Sequence, residues 1–358
     1  MEARALALAL ALVAPALAGC STPPAPPPPD GPPLPPLTAA QILEAARAFN
    51  GSRALELARA QVLDGARCRD RPASECDPRI FRVTGTQGNN QTAGLIAQQA
   101  RQAGFDARLD AFDAAFEGAT LPAHNVIATR AGATNRTLYL AAHYDTRPCA
   151  DKDPDPARRV EPVLGANDGA SGVAAVLEVA RVLGAQPRNL TITLLFFDAE
   201  DMGDGGHACG ASTSWAQGSA HHASTLSRDE VADAVGLVLL DMVGDADLTL
   251  RREAASALGA HRALQDDVWT WAARLGHAQF RNDTGWRVLD DHHAYQQAGL
   301  RAIDVIHLDD GLVDADQFPA THHTTFDDLD HLRAASLQAV GETVLAAALA
   351  WDQRATEG

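Results

Sequence analysis

The stretch from Leu190 to Gly203 limits what this chain can become more than any other. Leu194, Leu195, Phe196 and Phe197 form a continuous apolar run, and Asp198, Ala199, Glu200 and Asp201 follow with no spacer. A run of this kind is what a central parallel strand, buried on both faces, requires. Ligands of open α/β sheets sit beyond the carboxyl ends of such strands. Three acids at that spot repel one another unless a cation lies between them. In isolation the same residues would also suit a solvated acidic loop; the rest of the chain decides against it.

Other apolar runs end the same way. The segment 137–142 leads straight into His143-Tyr144-Asp145, and 237–240 ends in Asp241-Met242. Between them, the glycine-punctuated 165–172 carries Asp168 to the entrance of a helix marked by Val173, Val176, Leu177, Ala180 and Leu183. Its glycines read as a tight turn beside Asp168. Further strands are expected over 106–112, 124–130 and 302–306. Helices are expected from Ala39, capped by Thr38, then a second over 55–62, another before the stop at Gly104, and further ones over 215–226, 258–275 and 337–351. Strands alternating with helices imply one three-layer α/β/α domain over 38–358, with a mixed, mostly parallel sheet.

Three strand ends thus carry His143 with Asp145, Glu200 with Asp201, and Asp241, while two loops add Asp168 and His323. Carboxylates and imidazoles without thiolate make a zinc-type catalytic set with positions left open for water or substrate. Among thirteen histidines any single one is ambiguous. Five such segments in order are not.

These segments, H-Y-D, G-A-N-D-G-A-S-G, D-A-E-D, L-L-D-M-V-G and H-T-T-F-D, resemble the zinc aminopeptidase clan called peptidase family M28. Within it the chain is most similar to the glutaminyl-peptide cyclotransferases, through F-D-A-E-D-M-G, L-L-D-M-V-G-D, D-D-H at 290–292 and the stretch from Trp215 to Ser219. The similarity runs from about residue 80 to about 350. It implies that Asp168, Asp201 and His323 hold zinc, with Asp201 where many relatives have glutamate. Glu200 would be the proton shuttle, and Asp241 and Asp290 its acidic hydrogen-bond network. His322 competes with His323 for the ligand role, and the H-T-x-x-D spacing favours His323.

Two reactions fit that set. In a cyclase, Glu200 moves a proton from the α-amine of an N-terminal glutamine to departing ammonia, leaving pyroglutamate, with one zinc. In an aminopeptidase, His143 and Asp241 bind a second zinc, Asp168 bridges, and Glu200 activates water. The resemblance favours the cyclase and implies peptides or proteins with free N-termini as partners. A third alternative is a non-catalytic surface binding lipoprotein, against which an intact Glu200 argues. One departure stands out: animal cyclotransferases, and many bacterial ones, carry tryptophan just before the last zinc histidine, and this chain has His322. Phe318, Trp215 or Trp286 could supply the missing aromatic wall.

The first residues read as an address. Arg4 precedes an apolar segment, 5–16, that is too short to span a bilayer and ends in Leu17-Ala18-Gly19-Cys20. That ending resembles the bacterial lipobox, which implies cleavage after residue 19, lipidation of Cys20 and membrane attachment through a lipid anchor. Residues 20–37 then form a proline-rich tether, and Ser21 leans towards the outer membrane. A net charge of −17 argues against nucleic acid as a partner. Four cysteines remain after Cys20, an even number suited to an oxidising compartment. They allow three connectivities, of which Cys68–Cys76 with Cys149–Cys209 is preferred on position.

Overall fold

The computed structural model describes residues 37–69, 77–206, 209–308 and 318–355. Its strands are β1 (Asp106–Phe116), β2 (Ala119–Arg130), β3 (Thr137–His143), β4 (Thr191–Phe197), β5 (Ala234–Asp241), β6 (Leu250–Arg252), β7 (Phe280–Thr284) and β8 (Ala302–Ile306). Six of them form one sheet in the order β1-β2-β4-β3-β5-β8; β6 and β7 pair separately. The β1–β2 and β2–β4 pairs are antiparallel and the remaining three are parallel, so the sheet is mixed and mostly parallel. The helices are α1 (Ala39–Ala46), α2 (Gly51–Arg69), α3 (Gln87–Gln102), α4 (Ala170–Gly184), α5 (Gln217–Thr225), α6 (Arg228–Asp233), α7 (Arg262–Leu275), α8 (Asp291–Gln297) and α9 (Ala334–Arg354).

Side chains alternate across a strand, and that alternation sorts the core into two layers. Leu138, Leu140, Leu194, Phe196, Val238 and Leu240 face one side, against α4, on which α2 and α9 pack in turn. Tyr139, Ala141, Leu195, Phe197, Leu237 and Leu239 face the other, against Ala223 of α5 and Tyr295 of α8. Leu194, Leu195, Phe196 and Phe197 are all fully buried, each worth about 1.5–3 kcal/mol of transfer free energy. The same period of two turns His143, Asp241 and Asp304 towards the α8 side. Helix α9 is long and apolar enough to cross a membrane by length and composition, yet most of it is buried against α1, α2, α4 and α7.

Several expectations need adjusting. Strands β1 and β2 run longer than 106–112 and 124–130 because they continue as a two-stranded ribbon beyond the sheet. Helix α5 begins at Gln217 rather than at Trp215, since Ala216 adopts a left-handed φ of 53° that turns the tryptophan away. Helix α7 begins at Arg262, not near residue 258. The glycines around Asp168 divide their work. Only Gly165 is left-handed (φ 66°), whereas Gly172 lets α4 touch the sheet, because a Cβ there would lie 2.1 Å from the Leu240 carbonyl.

Cys149 and Cys209 are bonded, as the preferred connectivity requires. Cys68 is also disulfide-bonded, and its expected partner Cys76, like Cys20, lies outside the described residues. Closing a loop of 60 residues is worth about 4 kcal/mol in the chain-entropy account. The double variant Cys149→Ser/Cys209→Ser should therefore lose that order of stability in urea titrations, with no loss of secondary structure by circular dichroism.

Burial also writes an acid sensitivity into the α5–α8 layer. It pushes His222 down to about 4, and His222 Nδ1 is hydrogen-bonded to the Tyr295 hydroxyl at 2.7 Å. The folded value is depressed, so the stabilisation is present above the ordinary 6.5 and is lost as pH falls from there through 4. It amounts to about 3 kcal/mol. Urea midpoints measured between pH 7 and pH 4.5 should fall less steeply for His222→Gln than for the parent.

Candidate active site

The strand ends bend sharply where the acids begin. Ala199 after β4, Met242 after β5 and His323 in its loop hold left-handed φ values of 55°, 49° and 57°. Such strain in non-glycine residues collects at functional sites. The turn at Ala199 separates the acids that follow β4. Asp198 points away from the cavity and accepts from Thr84 Oγ1 (2.9 Å), Asn89 Nδ2 (2.8 Å), the His124 amide (3.0 Å) and the Tyr144 hydroxyl (3.1 Å). The expectation of three acids around one cation is thereby corrected to two, Glu200 and Asp201.

Buried charges fix the loops on which the other groups ride. The Asp145 carboxylate accepts from the amides of Glu200 and Asp201, both at 3.1 Å. Asp327 accepts from the amides of Asn167 (2.7 Å) and Asp168 (3.1 Å). The buried Arg82 donates to the carbonyls of Tyr144 (2.8 Å), Leu164 (2.9 Å) and Gly165 (2.7 Å), tying the end of β3 to the loop that carries Asp168.

Asp168 stands at the centre. Its Oδ1 lies 2.9 Å from His143 Nε2, which is hydrogen-bonded to Asp241 Oδ1 at 3.1 Å. Its Oδ2 lies 3.7 Å from His323 Nε2, and that nitrogen is 2.9 Å from Asp201 Oδ1. The last approach lacks hydrogen-bond alignment: both Asp201 oxygens are buried without a hydrogen-bond partner. His143 Nδ1 faces Asp145 at 3.4 Å and His323 Nδ1 faces Asp151 at 3.7 Å, the side on which outer-sphere carboxylates stand where an imidazole binds metal. Asp168, Asp201 and His323 thus meet, as do His143, Asp168 and Asp241.

Next to them opens a cavity of about 630 Å³ that Glu200, Asp241 and Asp290 line together. Trp215 and Phe318 line it too, whereas Trp286 does not. Trp215 stacks on His323 with ring centroids 5.8 Å apart. His322 packs between Phe318 and His323, at 4.3 and 3.7 Å, and its Nδ1 accepts from the Lys152 ammonium at 2.9 Å. Burial, then the His323 and Lys152 charges, hold His322 well below its ordinary value.

Electrostatics show what the cluster lacks. Burial pushes Glu200 well above the carboxylate range; His143 opposes this, while Asp290, Asp291 and Asp201 add to it. Burial also raises Asp201, and it raises Asp241 to about 7. Asp168 alone is lowered, because contacts with His143 and His323 outweigh its burial. A divalent cation would relieve these acids together. The donor set fits zinc: carboxylate and imidazole, no free thiolate, and orphaned Asp201 oxygens facing a histidine nitrogen. Arg147, Asp151 and Lys152 were not legible as site residues, because what marks them is contact with residues tens to more than a hundred positions away.

The sequence profile of Peptidase family M28 matches residues 125–348. Aminopeptidase YwaD of Bacillus subtilis is 27% identical over 216 residues, covering 59% of this chain and 40% of that protein, so the match spans less than half of this relative. A glutaminyl cyclase from Bacteroides thetaiotaomicron, solved with N-acetylhistamine, superimposes with a TM-score of 0.72 at 31% identity, covering 83% of this chain and 97% of the other. A Zn-dependent exopeptidase from Parabacteroides distasonis also gives 0.72, at 30% identity and the same coverage. Proteins similar to this chain therefore include both cyclases and exopeptidases, and zinc enzymes are among them.

Proposed function

Because the chain belongs to peptidase family M28, we propose that it is a zinc-dependent glutaminyl-peptide cyclotransferase, forming pyroglutamate at the N-termini of peptides. One observation carries the choice of cyclase: the two halves of the cluster differ. His143 Nε2 is already hydrogen-bonded to Asp241, while on the other side both Asp201 oxygens have no such partner beside His323. That asymmetry supports one cation, held by Asp168, Asp201 and His323. When bound, zinc supplies Lewis acidity at the substrate's γ-carbonyl.

The chain's own residues do the rest. Glu200 takes a proton from the α-amine of the N-terminal glutamine. The amine nitrogen bonds to Cδ, the Cδ–Nε2 bond breaks, and the proton returns to nitrogen as ammonia leaves. Asp241 and Asp290 share the wall with Glu200, placed to steady its changes of charge. Trp215 and Phe318 offer apolar surface against which the glutamine side chain is kept from water.

A second reading, a two-zinc aminopeptidase, is favoured by His143, Asp168 and Asp241, whose ligand atoms lie close enough together to hold an ion, and by the two Asp168 oxygens, which reach towards both histidines. There Glu200 would take its proton from water. The Cys149–Cys209 bond supports export to an oxidising compartment, and the lipid anchor at Cys20 and outer-membrane placement remain part of the proposal. The test is the product. A glutamine-initiated peptide should lose ammonia and gain pyroglutamate; release of free leucine from Leu-p-nitroanilide without cyclisation would select the aminopeptidase instead.

A further inference from the structure

At the opposite end of the sheet from the acids, the strands begin around a second cavity, of about 240 Å³. Arg136 stands just before β3, Arg301 just before β8, and Val235 at the start of β5 between them. All three line this cavity, together with residues of α7 and α9. Strand β3 is seven residues long, so about 20 Å of strand separates the cavity from His143. Pairing is irregular here: Thr137 stands opposite Ala234 and Leu138 opposite Gly236, which leaves Val235 as an extra residue. Val235, Leu264 and Trp351 are buried and give the cavity an apolar lining.

The charges around it do not balance. Asp267 of α7 is already committed: its Oδ2 accepts from the Trp351 indole at 2.7 Å and from the Arg354 guanidinium at 2.5 Å. Arg136 and Arg301 have no carboxylate partner among the described residues. Arg136 Nη1 reaches the Arg354 carbonyl at 3.5 Å and Arg301 Nη2 the Ala234 carbonyl at 3.4 Å. Both exceed the ordinary range of about 2.7–3.2 Å. A guanidinium carries several N–H donors in a planar fork, so most of this donor capacity is unspent within the protein. Carboxylates are plentiful in a chain with 46 acidic and 29 basic residues, yet Asp267 is the one acid among the described residues that line this cavity.

We propose that this cavity binds a small phosphate monoester through Arg136 and Arg301. A carboxylate offers its oxygens in one plane, which suits a single guanidinium fork. A phosphate group offers strong acceptor oxygens in a tetrahedral arrangement and can accept from forks that arrive from different strands. Pockets for drug-sized ligands hold about 300–1,000 Å³, so a cavity smaller than these takes a small ester. Glycerol 3-phosphate and the headgroup of phosphatidic acid share that chemistry, and the apolar lining suits their carbon atoms. The headgroup is a source because the chain's tether meets the fold at this end: the Leu37 amide donates to Gln353 Oε1 at 2.9 Å, beside Arg354. That source rests on the lipid anchor proposed at Cys20; the site itself does not.

The test uses the purified chain carrying Cys20→Ser, so that no acyl group holds it to a bilayer. Calorimetric titration with glycerol 3-phosphate at fixed ionic strength should show saturable binding. Arg136→Gln and Arg301→Gln should each weaken it about tenfold or more, because each removes charged hydrogen bonds to the ester. The double variant should abolish it with zinc content and the circular dichroism spectrum unchanged, so that neither metal nor fold accounts for the loss. Sedimentation with phosphatidylcholine vesicles, with and without phosphatidic acid, separates the two sources. A net charge of −17 gives the chain no general attraction to an anionic bilayer. Capture that needs phosphatidic acid and is lost in the double variant makes the headgroup the ligand; ester binding without capture makes the ligand a free ester. The proposal is overturned if neither probe binds, if binding survives the double variant, or if succinate binds as tightly as the ester. None of these readouts needs turnover, so failure here is distinct from failure of the functional reading.

Discussion

Glu200→Gln is expected to lower kcat by about 10²- to 10⁴-fold while zinc content and fold stay as in the parent. Glutamine has the shape of glutamate but cannot carry a proton, so the substitution removes one capacity and little else. Glu200 is placed to use that capacity. It lies on the cavity wall directly beside Asp201, its amide is clamped by Asp145, and burial raises it well above an ordinary carboxylate. A carboxyl group raised in this way can both accept a proton from an amine and return it to a leaving nitrogen near neutral pH. Initial rates on a glutamine-initiated peptide, with elemental analysis of the same sample, measure both halves. A variant that keeps full activity would remove Glu200 from the mechanism. One that loses zinc in proportion to rate would make it a ligand.

Stripping the metal should have an even larger effect on turnover and a visible one on stability. Without a cation, Glu200, Asp201 and Asp241 are held above their ordinary values by burial and by neighbouring carboxylates, and the Asp201 oxygens have no hydrogen-bond partner. A ligand that binds only the folded state at about a thousand times its Kd stabilises by about 4 kcal/mol. Chelation should therefore abolish activity and lower the melting temperature, and added zinc should restore both. Asp168→Ala should reproduce the stripped state and resist rescue, because its carboxylate is the group both histidines approach. Chelator-insensitive activity would contradict the zinc assignment for either reaction.

How much of this could be read from the residues follows from physical range. The β4 run was legible because a strand buried on both faces needs consecutive apolar side chains, and the acids after it because they break that run abruptly. Asp198 was misplaced among them, since nothing in D-A-E-D announces the left-handed turn at Ala199 that sends it into a network with Thr84, Asn89 and Tyr144. Trp215 was legible as an aromatic candidate but not as the residue before a left-handed helix entrance. Arg82 left no local signal: its three carbonyl partners lie 62 to 83 residues away. The Cys149–Cys209 bond was accessible because each cysteine closely follows a strand end of the site.

Zinc stoichiometry of the purified chain and of Asp168→Ala, measured by elemental analysis, tests the central claim most directly. One zinc per chain, lost in Asp168→Ala and retained in Glu200→Gln, is the predicted result. Zinc absent from the parent, or bound equally well after Asp168→Ala, would contradict it.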